Sequence, residues 1–216
     1  MTGKKTFIKF LCLLLSIYSL SANEFEGSLT MVKRSYYDTT IYIFTVKGNM
    51  VRLDLKNAAK QTIQSLIIDL NTPKIIALSP NLKLYTYINL IKGTIKQSDD
   101  FKVTVTENNK MIQGYKCYQW RVRNESLNTE VSFWINKSDI TFYEKTVTLL
   151  CNTDEYKNIG DYFMQISPKP GFLPILTEER TLLREEKSKT TITNITRKTI
   201  NSNVFQVPQD YKFLRY

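Results

Sequence analysis

The feature that most constrains this chain is a succession of short β-branched and aromatic runs with brief breaks between them. IYIFTV (41–46), MVRLDL (50–55), TIQSLIIDL (62–70), KIIAL (74–78) and KLYTYI (83–88) are separated at Gly48-Asn49, Asn71-Thr72-Pro73 and Pro80-Asn81. Breaks of this length leave no room for a helical crossover, so consecutive strands pair as antiparallel hairpins. Phe101, Val103 and Val105 then alternate with Lys102, Thr104 and Thr106, the mark of a strand with one face on a core and one in water. Asn108-Asn109 is expected to turn the chain into a strand over 111–122, MIQGYKCYQWRV, and a partner follows over 129–135. Gly114, read inside a strand, suggests a bulge that bends the sheet. Trp120 and Trp134 fall on the two expected partners, where a cross-strand contact or a shared place in the core is expected.

The pattern changes after residue 137. Ser138-Asp139 suits a helix cap, and Ile140, Tyr143, Val147 and Leu150 recur at helical spacing as far as Cys151. A second helix is expected over about 154–166, with Tyr156, Ile159, Phe163 and Ile166 on one stripe. Pro168-Lys169-Pro170-Gly171 ends the helical section. Runs over 173–186 and 189–200 read as a final hairpin before VFQVPQDYKF (204–213). The fold class is therefore mainly β, within α+β.

The N-terminus bears on compartment. Lys4, Lys5 and Lys9 precede an apolar run from Phe10 to Leu20 that ends in Ser19, Ser21 and Ala22, the pattern of a secretory signal peptide over residues 1–22. That run is too short to span ~30 Å of hydrocarbon. Cys12 follows Lys9, Phe10 and Leu11 rather than small residues, unlike a lipoprotein anchor site. Residues 23–216 then form a single domain, exported to the periplasm or secreted, and not membrane-spanning. Net charge falls from +10 to +7 without Lys4, Lys5 and Lys9. The basic residues are scattered, so nucleic acid is not an expected partner; a solvated surface or weak attraction to anionic lipid or glycan accounts for them. Cys117 and Cys151 remain, an even pair in an oxidising compartment, for which one disulfide is expected and two buried free thiols are the alternative.

Absences narrow the chemistry. The chain has no histidine, which removes Ser-His-Asp and Cys-His catalysis and ordinary zinc sites. Its seven glycines are dispersed and form neither a phosphate loop nor a dinucleotide fingerprint. The carboxylate doublets Asp99-Asp100, Glu178-Glu179 and Glu185-Glu186 sit where neighbours on a strand point to opposite faces, so neither member can readily assist the other. No enzyme activity, cofactor or metal is expected.

Phe25-Glu26-Gly27, IQGYKCYQWRV (112–122), FWI (133–135), GFLP (171–174) and FQVPQDYK (205–212) together resemble a family of bacterial secreted proteins defined only as domain of unknown function 4412. Its layout is similar to that of the outer-membrane lipoprotein carriers (LolA-like), which implies a curved antiparallel sheet, an incomplete barrel, with a two-helix lid on the concave side. GNMVRLD, SLIIDL and LKLYTY are similar to recurring carrier strands, although Leu70-Asn71 stands where the carriers have a glycine after Asp69, which puts a tight turn there in doubt. Arg52 shares a strand face with Asp54 and Lys56, opposite Val51, Leu53 and Leu55, which places it in solvent or toward a polar-lined cavity.

Strands such as IYIFTV are apolar on both faces, whereas an antiparallel sheet needs only one covered. Either the helices close the second face as core, or the space beneath them takes a hydrophobic ligand. The second alternative, with a lipid or the acyl chains of a lipoprotein as partner, names Phe142, Val147 and Leu150 on the first helix and Ile159, Phe163 and Ile166 on the second as candidate ligand-binding residues. The competing reading is an envelope protein with a closed core that contacts another protein or a glycan. A continuous apolar space above ~300 Å³ between sheet and helices separates the two.

Overall fold

A computed structural model describes residues 24–91 and 98–215. The expected signal peptide lies outside the described residues. Strands β1 (Glu26–Ser35), β2 (Thr39–Lys47), β3 (Met50–Lys56), β4 (Thr62–Asp69), β5 (Lys74–Ser79) and β6 (Leu84–Ile88) form a meander. β7 (Phe101–Ile112), β8 (Tyr115–Asn124) and β9 (Thr129–Lys137) form a second, and two helices, α1 (Phe142–Cys151) and α2 (Asp161–Gln165), follow it. β10 (Phe172–Arg180), β11 (Glu186–Arg197) and the two-residue β12 (Lys212–Phe213) complete the chain.

All these strands belong to one 12-stranded sheet, in the order β12-β6-β5-β4-β3-β2-β1-β11-β10-β9-β8-β7. The β10–β11 hairpin joins the two meanders, with β11 antiparallel to β1 and β10 antiparallel to β9. The sheet is curved and open, an incomplete barrel with β7 and β12 at its edges, and the helices lie against its concave face. There Phe142 of α1 stacks near Phe25 and Phe44, with ring centroids 5.3 and 5.9 Å apart.

The convex face explains why the first meander is apolar on both sides. Inward, Val51, Leu53, Leu66, Ile68 and Ile75 join the main core. Outward, Ile67, Ile76 and Leu78 are covered by Ile200, Val204, Phe205, Val207 and Tyr211 of the C-terminal segment. The closing FQVPQDYK stretch is therefore a strap over the outside of the sheet, and Arg52 lies beneath it. Its Nη1 donates to the Val204 carbonyl at 3.1 Å, its Nε to Asp54 at 2.9 Å and its Nη2 to Ser65 at 3.2 Å. Arg52 is thus neither in open solvent nor at a concave cavity. It holds the strap.

Several expectations change. β7 continues through Asn108 and Asn109, because Asn108 Nδ2 donates to Gln119 Oε1 across the ladder at 2.9 Å; residues 106–108 form the irregularity there. The chain turns instead at Gln113 and Gly114, both with positive φ (50° and 83°), while Ile112 pairs with Tyr115. This is the primed two-residue hairpin that a glycine at the second position favours. Gly114 therefore closes a hairpin rather than forming a bulge. Trp120 pairs with Phe133 and Trp134 with Gln119, so the tryptophans lie on opposite faces of the β8–β9 ladder and do not make the expected contact. The turn after Asp69 forms without glycine, since Asp69 Oδ1 accepts from the backbone N–H groups of Asn71 and Thr72 at 2.9 and 3.0 Å.

The helical section is also shorter than its periodicity predicts. The Ser138 N–H donates to the Gly171 carbonyl at 2.9 Å, which prolongs the strand ladder and delays α1 to Phe142. The expected second helix is broken into a 3-10 turn, Lys157–Ile159, and the short α2. Gly160 lies between them, against Val147 and Cys151 of α1, and a Cβ there would sit 2.7 Å from Cys151 Sγ.

Candidate functional site

Between the concave face and the helices lies a cavity of about 460 Å³. Phe44, Leu53, Val131 and Phe133 form its floor, and Tyr143, Val147, Leu150, Ile159 and Phe163 form its roof. Period-two alternation supplies the floor, because every second residue of β2, β3 and β9 faces inward. The roof forms because α1 turns one stripe toward the sheet and because Gly160 lets α2 approach α1 closely.

Four of the six candidate ligand-binding residues, Val147, Leu150, Ile159 and Phe163, line this cavity. Phe142 and Ile166 do not. Phe142 is spent on Phe25 and Phe44, and Ile166 is buried in the cluster with Phe172. Phe163 is both lining and core: its ring meets Phe133 and Tyr143, each at 5.7 Å. Ile159 is half exposed at the cavity's edge.

One wall is polar. Thr177 and Glu179 of β10, Ser188 and Thr190 of β11 and Lys33 of β1 all face the cavity. Cross-strand pairing sets them in rows, Lys33 beside Thr190 and Thr190 beside Thr177, with Glu179 beside Ser188. Ser188 Oγ donates to Glu179 at 2.9 Å. The neighbouring Glu178 faces away, accepting from Trp134 Nε1 at 3.2 Å and pairing with Arg180. These residues could have been found in sequence by extending the alternation of β10 and β11 inward, but which face was concave was not visible there.

Aromatic hydroxyls mark the roof and the β2 side. Burial pushes the Tyr143 phenol well above its ordinary range, with Tyr42 and Cys151 nearby adding to it. Burial, and then Asp38, raise Tyr42. Burial also raises Tyr162, whose hydroxyl faces Thr129 without a well-formed hydrogen bond. Neutral phenols at these sites suit a nonpolar occupant.

The expected disulfide is absent: Cys117 and Cys151 are separate buried thiols. Register gives the reason. Cys117 lies on the face of β8 opposite Tyr118 and Trp120, whereas Cys151 packs with Val131, Phe133 and Ile135 on the helix side, so the sheet stands between them. Burial raises Cys117, and burial pushes Cys151 up to about 11 against an opposing hydrogen bond from the Gly160 backbone.

The sequence profile of the domain of unknown function DUF4412 matches residues 25–211. The chain belongs to this family. In this DUF4412 chain, Phe25 of the opening Phe25-Glu26-Gly27 packs against Phe142 of α1, and Phe205, Val207 and Tyr211 of the closing FQVPQDYK cover the convex face. No curated protein matches the chain. Among solved structures, an uncharacterised conserved protein from Thermus thermophilus is similar with a TM-score of 0.55 at 8% identity, over 90% of this chain and 93% of that one. The Pseudomonas aeruginosa MucA/MucB complex is similar at 0.46 and 10% identity, covering 90% of this chain and 60% of that one. An outer membrane lipoprotein-sorting protein domain from Vibrio parahaemolyticus gives 0.31 and 8% identity, over 83% and 87%. The Thermus likeness shows a shared fold. Among the described residues, no helix is long and apolar enough to cross a membrane.

Proposed function

We propose that this protein is an exported, non-catalytic binding protein for a hydrophobic ligand, a lipid or the acyl chains of a lipoprotein. The observation that carries the reading is a space of about 460 Å³ between sheet and helices, with an apolar floor and roof. That volume falls within the range of sites that enclose small molecules and exceeds what packing defects leave in a filled core. A closed-core envelope protein would have no such space. Each methylene buried there would contribute ~0.8 kcal/mol, most of it offset by ordering and by the ligand leaving its membrane or micelle.

The test is titration of the delipidated protein with a fluorescent fatty acid and with a triacylated peptide. Saturable binding supports the reading, and Ile159→Glu should weaken it about tenfold or more while leaving the melting temperature nearly unchanged, because Ile159 is half exposed at the cavity edge. Phe163 is the poorer probe, since its burial between Phe133 and Tyr143 makes any charge there a folding defect as well. Absence of binding to either probe would replace this reading with the closed-core one.

A further inference from the structure

The hairpins of the sheet turn at two opposite ends, and the two ends differ in chemistry. At one end lie the tips between β1 and β2, β3 and β4, β5 and β6, β8 and β9, and β10 and β11. Tyr36 and Tyr37 sit on the first, 87% and 93% exposed, Leu82 on the third at 69%, Leu127 on the fourth at 58% and Leu183 on the fifth at 82%. At the other end, the turn residues at Gly48 and Asn49, at 71–73 and at Gln113 and Gly114 carry no exposed large apolar side chain, and Met111, in β7 just before the last of these turns, is 64% exposed. Folding does not require this asymmetry, because none of the five apolar side chains contributes to a core cluster.

The apolar tips form one rim. Leu182 N–H donates to Asn128 Oδ1 at 3.1 Å and Arg184 pairs with Glu130 at 2.8 Å, tying the β10–β11 tip to the β8–β9 hairpin. β11 then joins β1, where Ser35 pairs with Ser188 beneath the Tyr36 and Tyr37 tip. Ser188 and its neighbour Glu179 line the cavity, so the cavity reaches the last row of the β1–β11 ladder and the row before Arg180 and Glu186 in the β10–β11 ladder.

From this arrangement we infer that the rim is a docking surface for a lipid bilayer, entered by Tyr36, Tyr37, Leu127 and Leu183. A protein interface needs a contiguous desolvated centre, whereas here the Tyr36–Tyr37 pair, with ring centroids 4.8 Å apart, Leu127 and Leu183 stand on three separate tips with charged neighbours between them. A bilayer interface accepts such separated residues, and tyrosine suits it with an apolar ring and a wet hydroxyl. The interleaved charges are of both signs, Arg34, Lys60 and Lys187 among Asp38, Glu125 and Glu185, so apolar insertion rather than net charge drives the contact. The inference goes beyond the proposed ligand and does not depend on it.

The test is flotation of the folded protein, beginning at residue 23, with phosphatidylcholine vesicles, with and without phosphatidylglycerol. Binding should occur on both and persist at about 0.5 M salt, where surface charge attraction is screened. Combined Tyr37→Ser, Leu127→Ser and Leu183→Ser should lower partitioning about tenfold or more with an unchanged melting curve, since all three side chains are exposed. Met111→Ser, at the opposite end and also exposed, should leave it unchanged. Failure to float on either vesicle, or equal loss with Met111→Ser, overturns the inference. So does loss of self-association on the tip substitutions without any flotation, which would assign the rim to protein contact. Ile159→Glu should leave flotation intact, which separates failure here from failure of the cavity reading.

Discussion

Arg52 Nη1 lies 3.1 Å from the carbonyl oxygen of Val204, across 152 residues of sequence, and this contact joins the first meander to the C-terminal strap. The same guanidinium serves Asp54 and Ser65, so all three of its partners lose a donor together. Arg52→Leu should cost about 1–3 kcal/mol in urea unfolding, the penalty for half-buried polar groups left unpaired. It should also expose the chain after Ile200 to limited proteolysis before the sheet unfolds. Unchanged stability and unchanged cleavage would show the strap to be held by apolar packing alone.

Gly160 is the close-approach point of the helical section. Its φ of −119° is open to any residue, so the cost of a side chain there is steric, against Val147 and Cys151. Gly160→Ala should destabilise the protein by about 1–3 kcal/mol, as overpacking does. Adding Val147→Ala should recover part of that loss, giving a non-additive cycle measurable by thermal or denaturant melts.

The two cysteines among the described residues, Cys117 and Cys151, are buried thiols, and their chemistry follows. Labelling of the native, unreduced protein at neutral pH should modify neither, and labelling after denaturation without reductant should modify both. Recovery of no free thiol after denaturation would contradict the separation imposed by the β8–β9 register.

Alkaline pH should destabilise the fold. Burial raises Cys151 from 9.0 to about 11, so above pH 9 the unfolded chain releases this proton before the folded one does. Stability from this group is fully present below pH 9 and is lost as pH rises through about 11. Tyr42 and Tyr143, also raised by burial, extend the loss upward. The difference in unfolding free energy between wild type and Cys151→Ala should therefore shrink from pH 8 to pH 10.5, and a constant difference would show that the thiol titrates normally in the fold.

Much of the architecture was legible in local pattern. Strands β2 to β6 and the final hairpin follow from β-branched and aromatic runs and from breaks too short for a crossover, whereas β1 and its turn at residues 36–38 were not marked by such a run. The stripes of Val147, Leu150, Ile159 and Phe163 indicated the cavity roof because helical periodicity is a local property, even though Gly160 divides the second helix. Errors arose where a short polar pair had two possible uses. Asn108-Asn109 has turn chemistry, but Asn108 is used across the ladder by Gln119, and the turn falls at Gln113-Gly114, inside a run with strand composition.

The sequence by itself determined the strand-rich class, most of the hairpins between β2 and β6 and between β8 and β11, and the absence of histidine chemistry, since each depends on residues near one another or on composition. Tertiary structure alone decided which strand faces are concave, which face each tryptophan and cysteine takes, and that Arg52 meets Val204. Those relations join residues far apart in the chain. A one-residue difference in register, as between Phe133 and Trp134 opposite Trp120 and Gln119, moves a side chain through the sheet to the other side.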